Sequence, residues 1–372
     1  MKLKIKDMAK QISERENNPS SSSYERFVGL EHYISGEIEI DNFGSTERLD
    51  SAMKVFKSGD VLIARRNVYL RRAGIVWFDG LTSGDSIVLR ANNELYQSLL
   101  PFILNTDAFW NYADQNSDGT MSKRLSPKIL MEYEVELPEI AEQKKLSELL
   151  WAIYKAKKQY AKLLTITDEL VKAQYIELFG DQDDNPMEWP IRKLSEVASV
   201  DGNMTTDYEK YADYPHIGID SIEKGTGYLS GYRTVKEDNV ISGKYVFGPN
   251  HILYSKIRPA LNKVALPDFE GLCSADCYPI LPDETICRKK FLAHVMRSDF
   301  FLKYVLALSA RSQMPKVNRK QLLGFEFPCP PVEKQDIFVS FIEQSEKSKM
   351  ELQMAVENTE LMIKSLVNKE FV

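Results

Sequence analysis

Basic side chains are concentrated in a few short segments of this chain. The two clearest are RRNVYLRR at 65–72 and SKIRPALNK at 255–263. Lys and Arg are the residues that neutralise phosphate groups, yet the chain has a net charge of −6, which counts against a nucleic-acid partner. Acidic residues crowd other segments, such as EIEID at 37–41 and DQDD at 181–184. Because charge distribution matters more than its sum, the sequence is compatible with basic patches on an otherwise acidic protein.

The sequence contains no recognisable catalytic motif. It has no GxxxxGK[ST] phosphate loop and no glycine-rich cofactor loop after a predicted strand. The Asn/Asp-Pro-Pro-aromatic signature of amino-methyltransferases does not occur. PDFEG at 267–271 offers two carboxylates. It lacks a lysine at the spacing that a nuclease centre requires. We therefore expect no catalytic centre in this chain.

The cysteines and histidines lack the spacing of metal ligands. All the cysteines fall in the second half, at Cys273, Cys277, Cys287 and Cys329. A C-x3-C pair with two scattered cysteines is not typical of a zinc site, and a disulfide framework would have no counterpart in the first half. The histidines are equally dispersed, at His32, His216, His251 and His294. We expect reduced thiols, no bound metal, and histidines in turns or in the core.

A series of landmarks in the first half recurs in the same order in the second. The pairs are FVGLEHY at 27–33 with HIGIDSI at 216–222, GDVLIARR at 59–66 with NHILYSKIR at 250–258, NTDAFW at 105–110 with RSDFFL at 297–302, and VELPEIAEQ at 135–143 with FPCPPVEKQ at 327–335. The chain length suits two modules of about 190 residues each. Short apolar runs such as DVLIAR and CYPILP predict strands, and 94–113 and 288–309 have helical spacing. Each module is thus predicted to be mixed α/β.

Each copy ends in a segment with the three-and-four spacing of a long helix. In the first copy the predicted seam comprises Leu146, Leu149, Ile153, Ala156, Tyr160, Leu163, Thr167 and Leu170. In the second it comprises Phe338, Phe341, Ser345, Ser348, Leu352, Ala355, Thr359 and Met362. A helix of this kind, about 37 residues or roughly 55 Å long, requires a partner of similar length. The chain itself provides one.

The direction of the helix pair follows from the connection between the copies. A parallel pair would need a long return segment after Phe179, and GDQDDNPMEW at 180–189 is too short for this. The sequence therefore favours an antiparallel pair, with Gly180 ending the first helix. The chain lacks an uncharged apolar run of about 18 residues, and MKLKIKDMAK at its start is not a signal peptide. We expect a cytoplasmic protein.

In the order of these segments the chain resembles the specificity subunit of type I restriction-modification systems. The segments are GDVLIARR or ILYSKIRPALNKVAL, then MSKRLSPKIL or MPKVNRKQLL, then LPEIAEQ or PPVEKQ, with ELFGD leading into the second copy. The resemblance covers nearly the whole chain. It implies two tandem target recognition domains with a pseudo-twofold internal repeat, and two helices that form an antiparallel coiled coil. The implied boundaries are 1–140 and 181–332 for the recognition domains, and 141–180 and 333–372 for the helices.

The resemblance also implies partners and cofactors. The chain would bind double-stranded DNA with a split target, two methyltransferase (modification) subunits and two restriction subunits. It would bind no cofactor itself, since S-adenosylmethionine, ATP and Mg²⁺ belong to those partners. The first copy departs from the second in having LPEIAEQ in place of PCPPVEKQ, a difference that such a helix start tolerates.

Candidate DNA contacts fall in two loops of each module. Arg forks pair with guanine and Asn amides with adenine in the major groove, so the first loops are expected to read bases. Their candidates are Arg65, Arg66, Asn67, Tyr69, Arg71 and Arg72, with Lys256, Arg258, Asn262 and Lys263 in the second module. The second loops suit phosphate contact, with Lys123, Arg124 and Lys128, and Arg311, Lys316, Arg319 and Lys320. Ordinary solvated surface charges are the alternative explanation for both sets.

Some apolar helix positions lie off the predicted seam, namely Leu150, Trp151, Leu164 and Val171. They would dock the catalytic partners, or else contact the modules of this chain. Three other functions stay open from the sequence. One is a self-contained DNA methyltransferase or nuclease, another is a coiled-coil scaffold that binds no DNA, and the third is the specificity subunit of an ATP-independent bifunctional restriction enzyme.

Overall fold

The computed structural model describes residues 1–119, 122–309 and 315–371. These residues form two compact units. Unit 1 combines Met1–Lys162 with the chain from Leu352 onward, and unit 2 consists of Leu163–Glu351. Each of the two longest helices therefore contributes residues to both units.

Among residues 1–119, 122–162 and 352–371, unit 1 contains eleven strands, each two to six residues long. They are β1 Lys2–Lys4, β2 Ala9–Ile12, β3 Arg15–Glu16, β4 Arg26–Val28, β5 Gly44–Ser45, β6 Met53–Phe56, β7 Val61–Ala64, β8 Ala73–Ile75, β9 Gly80–Thr82, β10 Ser86–Ala91 and β11 Glu134–Glu136. Its helices are α1 Ile5–Met8, α2 Glu94–Ile103, α3 Asp107–Gln115, α4 Pro127–Glu132 and the first part of α5 Ile140–Phe179. Single 3₁₀ turns lie at Pro19–Ser21, Leu30–His32 and Val68–Leu70.

Unit 2 repeats this series of elements. Its strands are β12 Ile191–Lys193, β13 Ala198–Val200, β14 Met204–Thr205, β15 Pro215–Ile217, β16 Arg233–Thr234, β17 Lys244–Phe247, β18 Ile252–Ser255, β19 Val264–Ala265, β20 Gly271–Cys273, β21 Cys277–Pro282 and β22 Glu326–Pro328. Its helices are the second part of α5, then α6 Leu194–Val197, α7 Lys289–Arg297, α8 Asp299–Ser309, α9 Arg319–Leu323 and the first part of α10 Val332–Glu370. The 3₁₀ turns are Ile219–Ser221 and Pro259–Leu261.

The strands of each unit form three sheets with the same order. In unit 1 these are the pair β1-β11, the sheet β2-β10-β7-β8 and the sheet β3-β6-β9-β4-β5. In unit 2 they are β12-β22, β13-β21-β18-β19 and β14-β17-β20-β15-β16. In each five-stranded sheet one pair of strands is parallel, namely β4 with β9 in unit 1 and β15 with β20 in unit 2. The matching orders confirm the internal repeat and the mixed α/β class.

The four-stranded sheet of each unit lies between two apolar layers. In β7, Val61 and Ile63 pack with helix residues such as Phe102, whereas Leu62 packs with Phe56 of the five-stranded sheet. Alternate residues of a strand point to opposite faces, so a strand buried on both sides must be apolar throughout. All four residues of β7 are buried, as are all four of β18. This explains why the VLIA and ILYS runs predict strands so clearly.

The single helices predicted at 94–113 and 288–309 are each broken in two. In unit 1 the break follows Ile103, and the Thr106 hydroxyl accepts a hydrogen bond from the Phe109 amide at 3.1 Å. In unit 2 the Ser298 hydroxyl accepts one from the Phe301 amide at 3.3 Å. Ser and Thr at such positions satisfy amides that a new helix leaves free, and they therefore start α3 and α8. The prediction of continuous helices was wrong because apolar spacing persists across each break.

The two long helices run antiparallel within each unit. In unit 1 the Lys157 ammonium lies 2.9 Å from the Glu360 carboxylate. In unit 2 the Lys349 ammonium lies 2.5 Å from the Asp168 carboxylate, and the rings of Tyr175 and Phe338 are 5.4 Å apart. Residue numbers on α10 fall as those on α5 rise, which confirms the predicted antiparallel direction. Helix α5 ends at Phe179, and Gly180 follows it with a positive φ of 79°.

The predicted seam of α5 was partly wrong. Leu149, Leu163 and Leu170 are between 44 and 50% exposed, whereas Leu150 is fully buried. The burial pattern instead follows 146, 150, 153, 157, 160, 164, 167 and 171. A three-then-four spacing and a four-then-three spacing both fit the sequence, since leucine occupies 149 and 150 as well as 163 and 164. On α10, Met362 of the predicted seam is also exposed.

Candidate nucleic-acid interface

The first candidate loop of each unit has an unusual backbone. In unit 1 it joins β7 to β8, and a 3₁₀ turn lies between Asn67 (φ 55°) and Arg71 (φ 49°). In unit 2 the loop from β18 to β19 has the same form, with Arg258 at φ 48° and Asn262 at φ 41°. Positive φ is unfavourable for side chains such as arginine and is retained only where the surroundings hold it. The same strained loop is therefore built twice.

The second candidate loop packs against the first in both units. In unit 1 the Asn67 amide donates to the Lys123 carbonyl at 2.9 Å, and the Leu125 amide donates to the Arg65 carbonyl at 2.8 Å. In unit 2 the Arg258 amide donates to Pro315 at 3.1 Å, and Val317 donates to Lys256 at 2.8 Å. The structure thus brings the predicted base-reading loop and the predicted phosphate loop together. We call this paired surface, 65–72 with 122–125 in unit 1 and 256–263 with 315–317 in unit 2, the loop pair.

A carboxylate that the sequence analysis missed lies at the centre of the loop pair of unit 1. Asp85 pairs with Arg124, and its other oxygen lies 3.6 Å from Nη1 of Arg66. The Arg66 Nε donates to the Ser122 hydroxyl at 3.4 Å. Backbone pairing sets Arg66 opposite Arg124, and both side chains are about half exposed. Two arginines with free donors therefore share one carboxylate.

Asp85 could have been found from the internal repeat. It ends DGLTSGD at 79–85, which matches EGLCSAD at 270–276 with the same offset as the adjoining strands. In both copies the aspartate carbonyl accepts the amide of the first loop residue, Arg65 or Lys256, at 2.9 Å. The aspartate therefore belongs to the shared framework of the loop pair.

Positive side chains crowd one another inside this part of unit 1. Burial lowers the pKa of the Arg65 guanidinium, and the neighbouring charge of Arg124 lowers it further. Burial likewise lowers the pKa of Lys54, with Arg65 and Arg15 adding repulsion. The Lys54 ammonium is held by the Ser86 carbonyl at 2.6 Å. Because the positive groups outnumber Asp85, the surface is suited to an anionic ligand.

Several predicted contacts of unit 1 instead hold the loops in place. Arg65 Nε donates to the Leu125 carbonyl at 3.2 Å, and Arg72 donates to the carbonyls of Leu30 and Arg66. Lys123 pairs with Asp114 at 2.6 Å, and Arg71 pairs with Asp107 at 2.6 Å.

Other predicted contacts of unit 1 remain accessible. Tyr69 is largely exposed at the tip of the 3₁₀ turn. Asn67 accepts a hydrogen bond from Ser122 at 3.0 Å. Lys128 lies exposed in the first turn of α4, and no ion pair reaches its ammonium from the described part of the chain.

In unit 2 the first loop is fastened by other side chains. Lys256 donates to the Ala275 carbonyl at 2.7 Å and lies 3.5 Å from the Asp276 carboxylate. Lys263 donates to the Ile219 carbonyl at 2.8 Å. Arg258 is exposed, and its guanidinium has no hydrogen-bond partner among the residues that the structure describes.

Asn262 requires a correction, since it was expected to read a base. It is only 6% exposed, and its amide donates to the Arg297 carbonyl at 3.0 Å at the end of α7. This bond closes the C-terminus of the helix, which leaves four carbonyls without helical partners. Asn262 is therefore a buried capping group.

The phosphate candidates of unit 2 have different surroundings. Arg319 donates to the Val200 carbonyl at 2.5 Å. Lys316 and Lys320 are exposed, and neither ammonium is paired within the ranges 1–119, 122–309 and 315–371. The predicted contact at Arg311 lies outside the described residues.

The predicted partner-docking residues on α5 also need correction. Leu150 lies in the core of unit 1, and the Trp151 indole donates to the Ser98 carbonyl at 2.9 Å. Val171 packs against the core of unit 2, and Leu164 is half-buried. Of the two explanations left open, contact with the modules of this chain holds for Leu150, Trp151 and Val171. The exposed large apolar residues described on the two helices are instead Ile140, Leu149, Leu163, Ile166, Leu170 and Ile176 on α5, and Ile337, Met350, Met354, Leu361 and Met362 on α10.

Two further observations concern chemistry and membranes. Within the described residues, no three His, Cys, Asp or Glu side chains cluster so as to hold a metal ion. The four cysteines are free and buried. No described helix is both long and apolar enough to cross a membrane.

Comparison with known proteins relates the second half of this chain to a known domain family. Residues 186–361 match the model of the type I restriction modification DNA specificity domain. The type I restriction enzyme EcoDI specificity subunit of Escherichia coli is 35% identical over 159 residues, which span 43% of this chain and 35% of that relative. The chain thus aligns with about a third of the curated relative's length.

Solved structures share the fold over the whole chain. A type I restriction-modification system S subunit from M. genitalium covers 100% of this chain and 96% of its own, with a TM-score of 0.61 and 11% identity. A chain from a study of complex assembly and conformational transition of the type I R-M system gives a TM-score of 0.56 at 17% identity, covering 100% of this chain and 97% of its own. The fold is that of a two-domain specificity subunit. The sequence resemblance to type I specificity subunits is thus confirmed by the family model over residues 186–361 and by the curated relative.

Proposed function

We propose that this chain is the DNA sequence-specificity subunit of a type I restriction-modification complex. Each unit binds one half of a split double-stranded target through its loop pair. The observation that supports this most strongly is the repetition of one strained loop pair with different exposed basic side chains. A repeated framework with divergent side chains suits the reading of two different half-sites.

The exposed members of each loop pair make the DNA contacts. In unit 1 these are Arg66, Tyr69 and Arg124, and in unit 2 they are Arg258 and Lys316, with Lys320 nearby on α9. The guanidinium and ammonium groups neutralise phosphates or donate to base edges. The half-buried Arg65 and Arg72 and the buried Asn262 maintain the loop backbone.

The two long helices determine which spacing between half-sites is accepted. Half-sites on one face of the duplex are separated by about one helical turn, roughly 34 Å. Helix α5 has 40 residues and is therefore about 60 Å long. We expect that inserting one heptad after Tyr160 changes the accepted spacer or abolishes recognition. An unchanged target after this insertion would contradict the spacing role.

The exposed apolar faces of the helices bind two methyltransferase subunits. Leu149, Leu163 and Leu170 recur at heptad-like intervals on α5, and Met350 and Met354 lie on α10. Isolated exposed apolar residues are common, but a recurring row along a helix is typical of a helix-packing surface. Two restriction subunits complete the complex in the cytoplasm. The chain has no catalytic role, and S-adenosylmethionine, ATP and Mg²⁺ are bound by its partners.

Reconstitution tests this proposal. The chain with a modification subunit should retard a target duplex and transfer methyl groups to adenine N6, and the purified chain alone should transfer none. Methyl transfer by the chain alone would favour a self-contained methyltransferase. Failure of the complete complex to retard any duplex would favour a scaffold that binds no DNA.

A further inference from the structure

The sharing of Asp85 by two arginines determines how those arginines are presented. Arg66 approaches one carboxylate oxygen with Nη1 and donates from Nε to Ser122. Arg124 uses Nη2 on the other oxygen. A guanidinium has five N–H donors in a fixed plane, so at least three donors on each arginine have no partner among the described residues. Ser122 is in turn held by Asn67, which stands in the strained turn.

This arrangement fits a base edge better than a phosphate. A phosphate contact gains from uncompensated charge and tolerates a mobile side chain, as lysine shows. Here a carboxylate offsets part of the charge and restrains both guanidinium groups. Guanine O6 and N7 are two acceptors side by side in the major groove, and they match a fixed guanidinium fork.

Unit 2 has no carboxylate shared by two arginines at the corresponding positions. Ile257 and Lys316 occupy the places of Arg66 and Arg124, and they pair through their backbones in the same way. The matching carboxylate, Asp276, lies 3.5 Å from the Lys256 ammonium. Neither position offers a planar fork in unit 2.

We infer that the half-site bound by unit 1 contains an invariant guanine, which Arg66 and Arg124 read while Asp85 positions them. The corresponding position of the half-site bound by unit 2 is not read by an arginine fork. Asp85 is a positioning residue, because it acts through the two arginines. The inference rests on the proposed function and specifies the base class that one loop pair recognises.

The test uses the full chain in its complex with the modification subunit, in a host whose DNA methylation is mapped by long-read sequencing. Arg66→Lys combined with Arg124→Lys keeps the charge and removes both forks. Arg258→Lys alters an exposed arginine of unit 2. The half of the motif whose sequence preference changes in this variant is the half-site bound by unit 2. Arg48→Lys, an exposed arginine of unit 1 outside the loop pair, is the matched control. We expect the double variant to lose roughly 5- to 150-fold of its discrimination for guanine at one position, with the other half-site unchanged.

Asp85→Asn separates positioning from simple structural support. The amide has the same shape but adds one net positive charge, so we expect duplex affinity at low salt to be retained or raised while guanine discrimination falls. A merely structural residue would lower affinity for every sequence together. Arg48→Lys should leave both quantities unchanged.

Two results would overturn the inference. One is a half-site of unit 1 without an invariant guanine, and the other is full guanine discrimination in the double lysine variant. In both cases a methylated split motif would still support the proposed function. If the wild-type complex methylates no split motif, the proposed function itself fails.

Discussion

The loop pairs of unit 1 and unit 2 share a backbone and differ in their exposed side chains. Both have two positive-φ residues around a 3₁₀ turn and an aspartate carbonyl that holds the first loop residue. Unit 1 presents Arg66 and Arg124 on a common carboxylate, whereas unit 2 presents Ile257 and Lys316. The difference shows that the geometry of the loops is fixed by buried groups. Exposed positions are then free to vary without loss of the fold.

The shared framework extends to the buried seam of the long helices, where a single leucine can test it. Leu150 and its counterpart Ile342 are both buried, while the adjacent Leu149 is exposed. We expect Leu150→Ala to lower the free energy of unfolding by about 2–5 kcal/mol, because it leaves a cavity in a packed core. Leu149→Ala is the matched control and should cost about 0.5 kcal/mol or less. Urea denaturation measures both, and equal effects would contradict the corrected seam.

The stability of unit 2 is expected to depend on pH through a buried histidine, His294. Unit 1 has a phenylalanine at the corresponding position. His294 stacks on Tyr175 and meets Phe338 edge to face, each with ring centroids 4.9 Å apart. Burial lowers its pKa to about 4, with repulsion from Arg297 and Lys172 adding to the shift. Its counterpart at the same offset is Phe102, which takes no proton.

The sign of this pH dependence follows from the lowered pKa. The unfolded chain binds the proton at about pH 6.5 and the folded chain only near pH 4, so the contribution of His294 is complete above pH 6.5 and lost as the pH falls toward 4. The loss is at most about 3 kcal/mol, since the ring keeps some solvent contact. We expect His294→Phe to flatten the unfolding free energy of unit 2 between pH 6.5 and 4. An unaltered slope in that variant would show that the proton binds elsewhere.

The smallest expected effect separates phosphate contacts from base contacts. Lys320→Ala should weaken duplex binding about equally for all sequences and reduce the slope of log affinity against log salt by about 1. Lys2→Ala, remote in sequence and paired with Glu134 at 3.8 Å, serves as the control. Titrations at several salt concentrations measure the slope. A change of preferred sequence in Lys320→Ala would instead place this lysine at a base edge.

Features carried by local patterns or by the repeat could be predicted from the sequence. The buried strands are continuous apolar runs, and the short link after Gly180 determines the helix direction. The breaks at Thr106 and Ser298 were missed, because a capping hydroxyl interrupts a helix without interrupting its apolar spacing. The seam was misplaced because adjacent leucines at 149 and 150 satisfy either spacing.

The candidate site was only partly predictable. The sequence indicates which loops carry basic residues, and the structure shows that the two loops of each unit form one surface. Tertiary contacts decide which of the basic and amide groups face outward. Asn262 is drawn inward by the free carbonyl of Arg297, and Arg72 by those of Leu30 and Arg66. By contrast, Asp85 was available from the repeated DGLTSGD segment.

The most direct test of the central claim is the methylation map of a host that contains this chain and its modification subunit. If two different loop pairs read two half-sites, long-read sequencing should show a split motif with unlike halves, one modified adenine in each, and a fixed non-specific spacer. A single contiguous motif, or two identical halves, would contradict the account.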